Sequence, residues 1–330
     1  MKPLVLASEP LPESVRDRFA APLLSLRFFR FSWGLPPSQE ELENHLGPRT
    51  ASQDALGIMH WSEWGSYWSR SENRQHRNLG LADFCQRHET VELWFDGRPE
   101  DQLIQIWLLD YFRTHPETVA RLKLCLVDQD MNWIGLYATD DWSPPIVDVT
   151  EKELATAQAA WQAYHSPTPQ ACVDLLRRDL NALPLLKPVL LDLLAELPSA
   201  STGLGATEMR MLEMIGRGYS RTNDLFYRSY VRQTRVFNEF EYGYLLEGLA
   251  FGPTPAVTGL DGELRTLRRD NYRDRGRAYK RSRLSLTDFG KAVLAHKEDF
   301  SRHNPIDRWW GGTHLTNDNL WRWSPALAKP

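Results

Sequence analysis

Apolar positions along the 330-residue chain change their spacing partway, and the change separates two kinds of structure. Residues 2–7 (KPLVLA), 23–31 (LLSLRFFRF), 90–95 (TVELWF) and 122–127 (LKLCLV) are short apolar or alternating runs, which predicts four strands. Residues 13–21 read as a short helix. Within residues 99–114, Leu103, Ile104, Trp107, Leu108 and Phe112 recur at helical spacing and predict a one-sided helix. Strand, helix and strand in so short a stretch make a βαβ unit, which pairs its strands in parallel through a right-handed crossover. Residues 1–148 are therefore expected to form an α/β domain, three-layered around a mostly parallel sheet. Trp61, Trp64 and Trp68 fall at i, i+3 and i+7, which predicts a core-facing helix that also carries Leu56 and Met59.

From residue 149 the period is helical. Thr150 and Glu153 have the spacing of a capping box, opening a helix that runs to about residue 165. Two more helices are predicted over residues 170–181 and 185–196. Leu185, Leu186, Val189, Leu190, Leu193 and Leu194 leave the last almost no polar face, so it is expected to be deeply buried between domains. Residues 149–200 thus read as a helical connector, and the small, Pro- and Gly-containing stretch 197–205 as a linker. Helices at 207–218 (with Thr207 as N-cap), 221–230 and 238–250 then precede short strands at 256–259 and 282–286 and a helix at 288–296. That order predicts a winged-helix-like α+β domain over residues 201–300. Residues 301–330 remain as a Trp-rich tail expected to pack back on the body.

Charge adds a polarity. The net −4 combines 18 Lys+Arg against 28 Asp+Glu in residues 1–200 with 21 against 15 in the remainder, so the halves carry −10 and +6. A polyanion is therefore expected on the C-terminal side. The cations concentrate between the two predicted wing strands, within residues 264–283. Arg268, Arg269, Arg273, Arg275, Arg277, Lys280 and Arg281 stand there with Tyr272 and Tyr279 interleaved. Arginines neutralise phosphates and tyrosines stack on bases, the chemistry of nucleic-acid binding. The alternative is a solvated loop whose arginines pair with the acidic N-terminal half. The third helix carries Glu239, Glu241 and Glu247 and no Lys or Arg, a poor fit to a phosphate-lined groove. Either the wing binds, or the module serves protein contacts, self-association through Tyr242 and Tyr244 included.

Candidate chemistry lies at the strand ends and in the tail. Asp96, Asp101 and Asp128 follow predicted strands, where open α/β sheets bind ligands. With His314 brought in by the tail they would suit an enzyme acting on a small phosphorylated molecule. Helix capping accounts for Glu100 and Asp101 equally, because Pro99 suits the first helical position and acids favour that end of the dipole. In the tail, Asp307, Arg308, Trp309, Trp310, His314, Trp321 and Trp323 gather around Gly311-Gly312. They read either as a ligand site, with Arg308 or Arg322 stacked on tryptophan, or as a lock anchoring the chain end. No glycine precedes Gly34 and no phosphate cradle or metal motif occurs, so no cofactor and no metal are expected. Cys85, Cys125 and Cys172 are spaced about 40 residues apart, which excludes C-x-x-C chemistry and points to a reducing cytoplasm. With 42% hydrophobic and 25% charged residues the composition excludes a disordered or fibrous chain, and neither a signal peptide nor a membrane span is expected.

Several blocks resemble one pattern. Glu92-Leu-Trp-Phe-Asp96 with Asp101-Gln102-Leu103, Leu183-Pro-Leu-Leu-Lys187, Leu197-Pro-Ser199 and Gly203-Leu-Gly-Ala-Thr-Glu208 are followed by Leu286-Thr-Asp-Phe-Gly-Lys-Ala-Val-Leu294. Ile306-Asp-Arg-Trp-Trp-Gly-Gly-Thr-His-Leu315 and Trp321-Arg-Trp323 close the series. Together they are similar to the bacterial proteins grouped as domain of unknown function 1835, over about residues 90–323. The resemblance implies the same architecture and no particular activity. Those proteins tend to carry Gly-Asp after the first strand, where this chain has Ser8-Glu9.

Overall fold

The computed structural model describes residues 3–8, 23–25, 44–49, 60–63, 76, 78–127, 144–227, 236–237, 239–262 and 272–324. The chain separates into two units, each discontinuous in sequence. The first comprises Met1–Phe31, Pro36–Ala163 and Arg178–Val189, and the second Ser32–Leu35, Tyr164–Arg177 and Leu190–Pro330.

In the first unit the apolar runs pair as strands. In chain order its elements are β1 (Leu4–Ala7), β2 (Leu23–Ser25), α1 (Leu81–Cys85), β3 (Val91–Phe95), α2 (Pro99–Phe112), α3 (Pro116–Val119), β4 (Leu122–Leu126), β5 (Ile146–Asp148) and α4 (Glu151–Tyr164). The sheet order is β2-β1-β3-β4-β5. The first four strands are mutually parallel, with Val5 opposite Glu92 and Leu93 opposite Leu124, and β5 is antiparallel to β4. This is a mixed α/β unit on a mostly parallel sheet. β1 and β3 are buried along their whole length, as strands covered on both faces must be. β5 is short and exposed at Ile146 and Val147, and no periodic pattern announces it.

Two expectations need correction here. Helix α2 is not one-sided: Asp101, Gln102 and Gln105 are buried along with its apolar residues. Trp61 lies in a single 3-10 turn, Trp61–Glu63, fully buried with its indole N–H donating to the Leu79 carbonyl at 2.9 Å. Leu56, Met59, Trp64, Trp68 and the helix expected at residues 13–21 lie outside the described residues. At the start of α4, the Glu153 carboxylate accepts from the Thr150 N–H at 2.7 Å, one half of the capping box. The Thr150 hydroxyl oxygen accepts from Lys152 at 3.3 Å, one residue earlier than the box requires.

The second unit contains α5 (Gln170–Leu175), most of α6 (Leu186–Ala195), α7 (Ala206–Gly216), α8 (Thr222–Tyr227) and α9 (Glu239–Phe251). After them come β6 (Val257–Thr258), α10 (Tyr272–Arg281), β7 (Ser285–Leu286), α11 (Asp288–Leu294), β8 (Asp307–Trp310) and β9 (Thr313–Thr316). β6 pairs antiparallel with β7, and a bridge joins Arg221 to Arg283. β8 and β9 form a hairpin.

Several predicted features of this part differ. Helix α6 buries its leucines but keeps Lys187, Pro188 and Asp192 exposed. Thr207 is not an N-cap; the cap is Gly205, and the Thr207 hydroxyl donates to the buried Glu196 carboxylate at 2.6 Å. Residues 197–205 are no open linker: Leu197, Thr202 and Leu204 are buried, and Ser199 bridges to Trp323. Among the described residues, no helix is long and apolar enough to cross a membrane.

Candidate functional site

The basic stretch between β6 and β7 is not an open loop. Tyr272–Arg281 is a helix, α10, and Tyr279 anchors it. The Tyr279 ring is buried, edge-on to Phe226 at 6.3 Å, and Phe226 in turn meets Tyr242 at 5.1 Å. The Tyr279 carbonyl accepts from the Thr222 hydroxyl of α8 at 2.5 Å. Burial, and secondarily the charge of Glu247, holds the Tyr279 phenol well above its ordinary pKa. Tyr279 is therefore a core residue and no base-stacking platform, which corrects the sequence expectation. At Gly259, with φ of +88°, a Cβ would lie 1.9 Å from the Arg283 carbonyl, so only glycine lets the two strands meet here.

With Tyr279 inward, the opposite face of α10 carries the cations. Arg277, Lys280 and Arg281 stand at i, i+3 and i+4, all exposed, so they share one patch of surface. Among the described residues, no carboxylate lies within ion-pairing range of Arg277 or Arg281. Arg275 turns the other way, 3.6 Å from Asp261. The strand bridge adds Arg221 and Arg283, both exposed, beside the helix end. Arg221, distant in sequence from the basic run, carried no signal of this. Arg268, Arg269 and the side chains of Tyr272 and Arg273 lie outside the described residues.

Helix α9 turns its described acidic residues inward. Glu241 and Glu247 are buried at 2% and 6% exposure, and Tyr242 is fully buried. The carboxylates expected to repel a phosphate-lined groove therefore face the interior, and the side chain of Glu239 is outside the described residues.

At the strand ends, Asp96 and Asp101 come together around Arg98. The Arg98 Nε donates to both Asp96 oxygens at 2.9 Å, and its Nη2 to Asp101 at 3.3 Å. Asp101 also accepts from the Asp96 N–H at 3.1 Å, and the Gln102 amide donates to the Asp96 carbonyl at 2.8 Å. Burial first, then the neighbouring Asp96 charge, pushes the Asp101 carboxyl well above its usual range, while Arg98 and Ser8 oppose the shift. β1 and β3 flank the point where the strand order reverses, the usual ligand crevice of such sheets. Here the carboxylates are engaged by Arg98 and backbone, and they stiffen the turn into α2. Asp128 lies outside the described residues, and His314 belongs to the other unit. Among the described residues, no group of three His, Cys, Asp or Glu side chains is placed to hold a metal. Cys85, Cys125 and Cys172 are buried thiols whose pKa values burial raises, which makes them poor nucleophiles.

The tail residues are pinned from within their own unit. Trp310 is buried, its indole N–H donating to the Leu193 carbonyl at 2.7 Å and its ring edge-on to Tyr164. Gly312 donates to the Tyr164 carbonyl at 2.8 Å, and a Cβ there would lie 2.0 Å from the His165 carbonyl. The paired glycines thus admit the chain's own backbone. Trp323 is buried and its N–H donates to Pro198 at 2.9 Å; Trp321 is half-buried. Neither arginine stacks on tryptophan as expected. Arg308 pairs with Glu208 at 2.9 Å, and Arg322 with Asp299 at 2.8 Å. The ring on Trp309 is instead His314, stacked at 4.6 Å, whose Nε2 is 2.7 Å from Asp307.

The chain matches no protein-family model and no curated protein sequence.

Proposed function

We propose that this protein binds nucleic acid through the phosphate backbone, using the basic face of α10 in a winged-helix-like module. The observation that carries the reading is the alignment of Arg277, Lys280 and Arg281 on one exposed face of a helix anchored by Tyr279. The element order supports the module: three helices, two short strands, and a bridge linking Arg221, just before α8, to Arg283, just before β7. With Glu241, Tyr242 and Glu247 of α9 turned inward, the contact is electrostatic and sequence-tolerant. Of the two tyrosines considered for self-association through α9, Tyr242 lies in the core and Tyr244 is half-buried. Kinship with the domain of unknown function 1835 proteins belongs to the same proposal and adds no activity to it.

The test is an electrophoretic mobility assay on a duplex at several salt concentrations. Three neutralised phosphates predict that log K falls against log salt with a slope of roughly −2 to −3. The triple variant Arg277→Gln, Lys280→Gln, Arg281→Gln should abolish both binding and slope. Absent binding at low salt, or binding indifferent to the triple variant, removes the reading.

A further inference from the structure

The bridge between Arg221 and Arg283 sets two arginines directly opposite each other across antiparallel segments. Beside it the Leu284 N–H donates to the Ser220 carbonyl at 2.6 Å, so the two form a non-hydrogen-bonded pair, the position where facing side chains stand closest. Both arginines are exposed, with Thr222 buried next to Arg221 and with Ser282 and Leu284 buried on either side of Arg283. Like charges placed directly opposite destabilise a strand pair unless a counter-charge is within reach. Among the described residues, no carboxylate lies within ion-pairing range of either arginine. Asp224 of α8 makes no ion pair with Arg221, and Asp288 of α11 is paired with Lys291 at 2.9 Å. Arg283 follows Arg281 after one buried residue, so this pair continues the exposed row of Arg277, Lys280 and Arg281 at the end of α10.

We propose that the Arg221–Arg283 pair receives the terminal phosphomonoester of a nucleic-acid strand whose phosphodiester backbone lies along α10. The inference rests on the nucleic-acid reading above and adds the kind of strand end that the module prefers. An internal phosphodiester carries one negative charge, which single cations spaced along a helix match. A phosphomonoester carries about −1.5 to −2 at neutral pH, on three acceptor oxygens. Two adjacent planar guanidinium forks supply both the charge and the hydrogen bonds that such a group needs. The phosphate in turn relieves the repulsion between the arginines, so the site gains most from the most highly charged group.

Duplexes of one sequence, ending in hydroxyls, in 5′-phosphates or in 3′-phosphates, titrated against the full chain by fluorescence anisotropy, test this. One of the phosphorylated ends should bind roughly tenfold tighter than the hydroxyl end, the worth of one charge-assisted hydrogen bond. Arg221→Gln combined with Arg283→Gln should erase that preference and leave the affinity for the hydroxyl-ended duplex, and its salt dependence, unchanged. The melting temperature of this variant should be retained or slightly raised, because the like-charge pair is gone. Should it fold poorly, Arg283→Lys, which keeps the charge and loses the fork, is expected to lower the preference severalfold. Equal binding of all the duplexes, or a preference that survives in both variants, would overturn the proposal and leave the reading of α10 intact. Absence of binding to any duplex at low salt removes that reading and this inference with it.

Discussion

Arg308 of β8 and Glu208 of α7 meet at 2.9 Å, joining positions 100 residues apart in sequence. Both side chains are largely buried, at 16% and 8% exposure, and Glu208 also accepts from the Gly205 N–H that begins its helix. Removing Arg308 leaves two buried glutamates, Glu208 and Glu196, without their shared cation. Arg308→Met should therefore destabilise the protein by about 3–5 kcal/mol, read from the urea midpoint at unchanged slope. Arg308→Lys should recover only part, since an ammonium lacks the planar fork.

Glu196 makes stability depend on pH. Burial raises its carboxyl from 4.5 to about 7, against the two Thr207 hydrogen bonds that favour the charged form. The folded state holds the proton more tightly than the unfolded state, so this contribution is complete below the unfolded value of about 4.5. It is lost as pH rises through the folded value of about 7. The difference between wild type and Glu196→Gln should change by on the order of 3 kcal/mol from pH 4.5 to 7.5, the wild type weakening relative to the variant. A difference independent of pH would refute this assignment.

Gly312 has no room for a side chain. Its added Cβ would sit 2.0 Å from the His165 carbonyl, a backbone atom that no rotamer change can move. Gly312→Ala should cost about 1–3 kcal/mol and expose Trp310, seen as a red shift of tryptophan emission. Gly248→Ala, which meets open space on a helix, serves as the control and should be neutral or slightly stabilising.

In the first unit, Arg98 separates two buried carboxylates. Arg98→Met should destabilise by about 3–5 kcal/mol at neutral pH, because Asp96 and Asp101 then face each other without a counter-charge. Asp101 already titrates above its ordinary 3.8, and losing Arg98 raises it further. Its folded value being the higher one, the associated stability is present at acid pH and fades as pH rises. The penalty should accordingly shrink on acidification, measured as the gap between the two urea midpoints at pH 7 and pH 4.5.

Where spacing alone decides structure, it was legible. The runs around Leu4, Leu93 and Leu124 and the helical period around Leu103 and Trp107 placed the parallel strands and α2 close to their observed positions. The strands expected at 256–259 and 282–286 from the order of elements pair as β6 and β7. The β5 edge was not legible, since three exposed residues carry no burial pattern for selection to imprint.

The sequence by itself determined where the cations lie, between β6 and β7, and that the N-terminal part builds a mixed α/β unit on a mostly parallel sheet, because charge and periodicity are properties of neighbouring residues. Only the tertiary structure decided which way those groups face. Tyr279 became an anchor and Arg277 a surface cation because one helix face found a core to bury in. Glu247 and Glu208 turned inward for the same reason, and Arg308 reached Glu208 across the unit. Orientation is set by long-range packing, to which residue order gives no local clue.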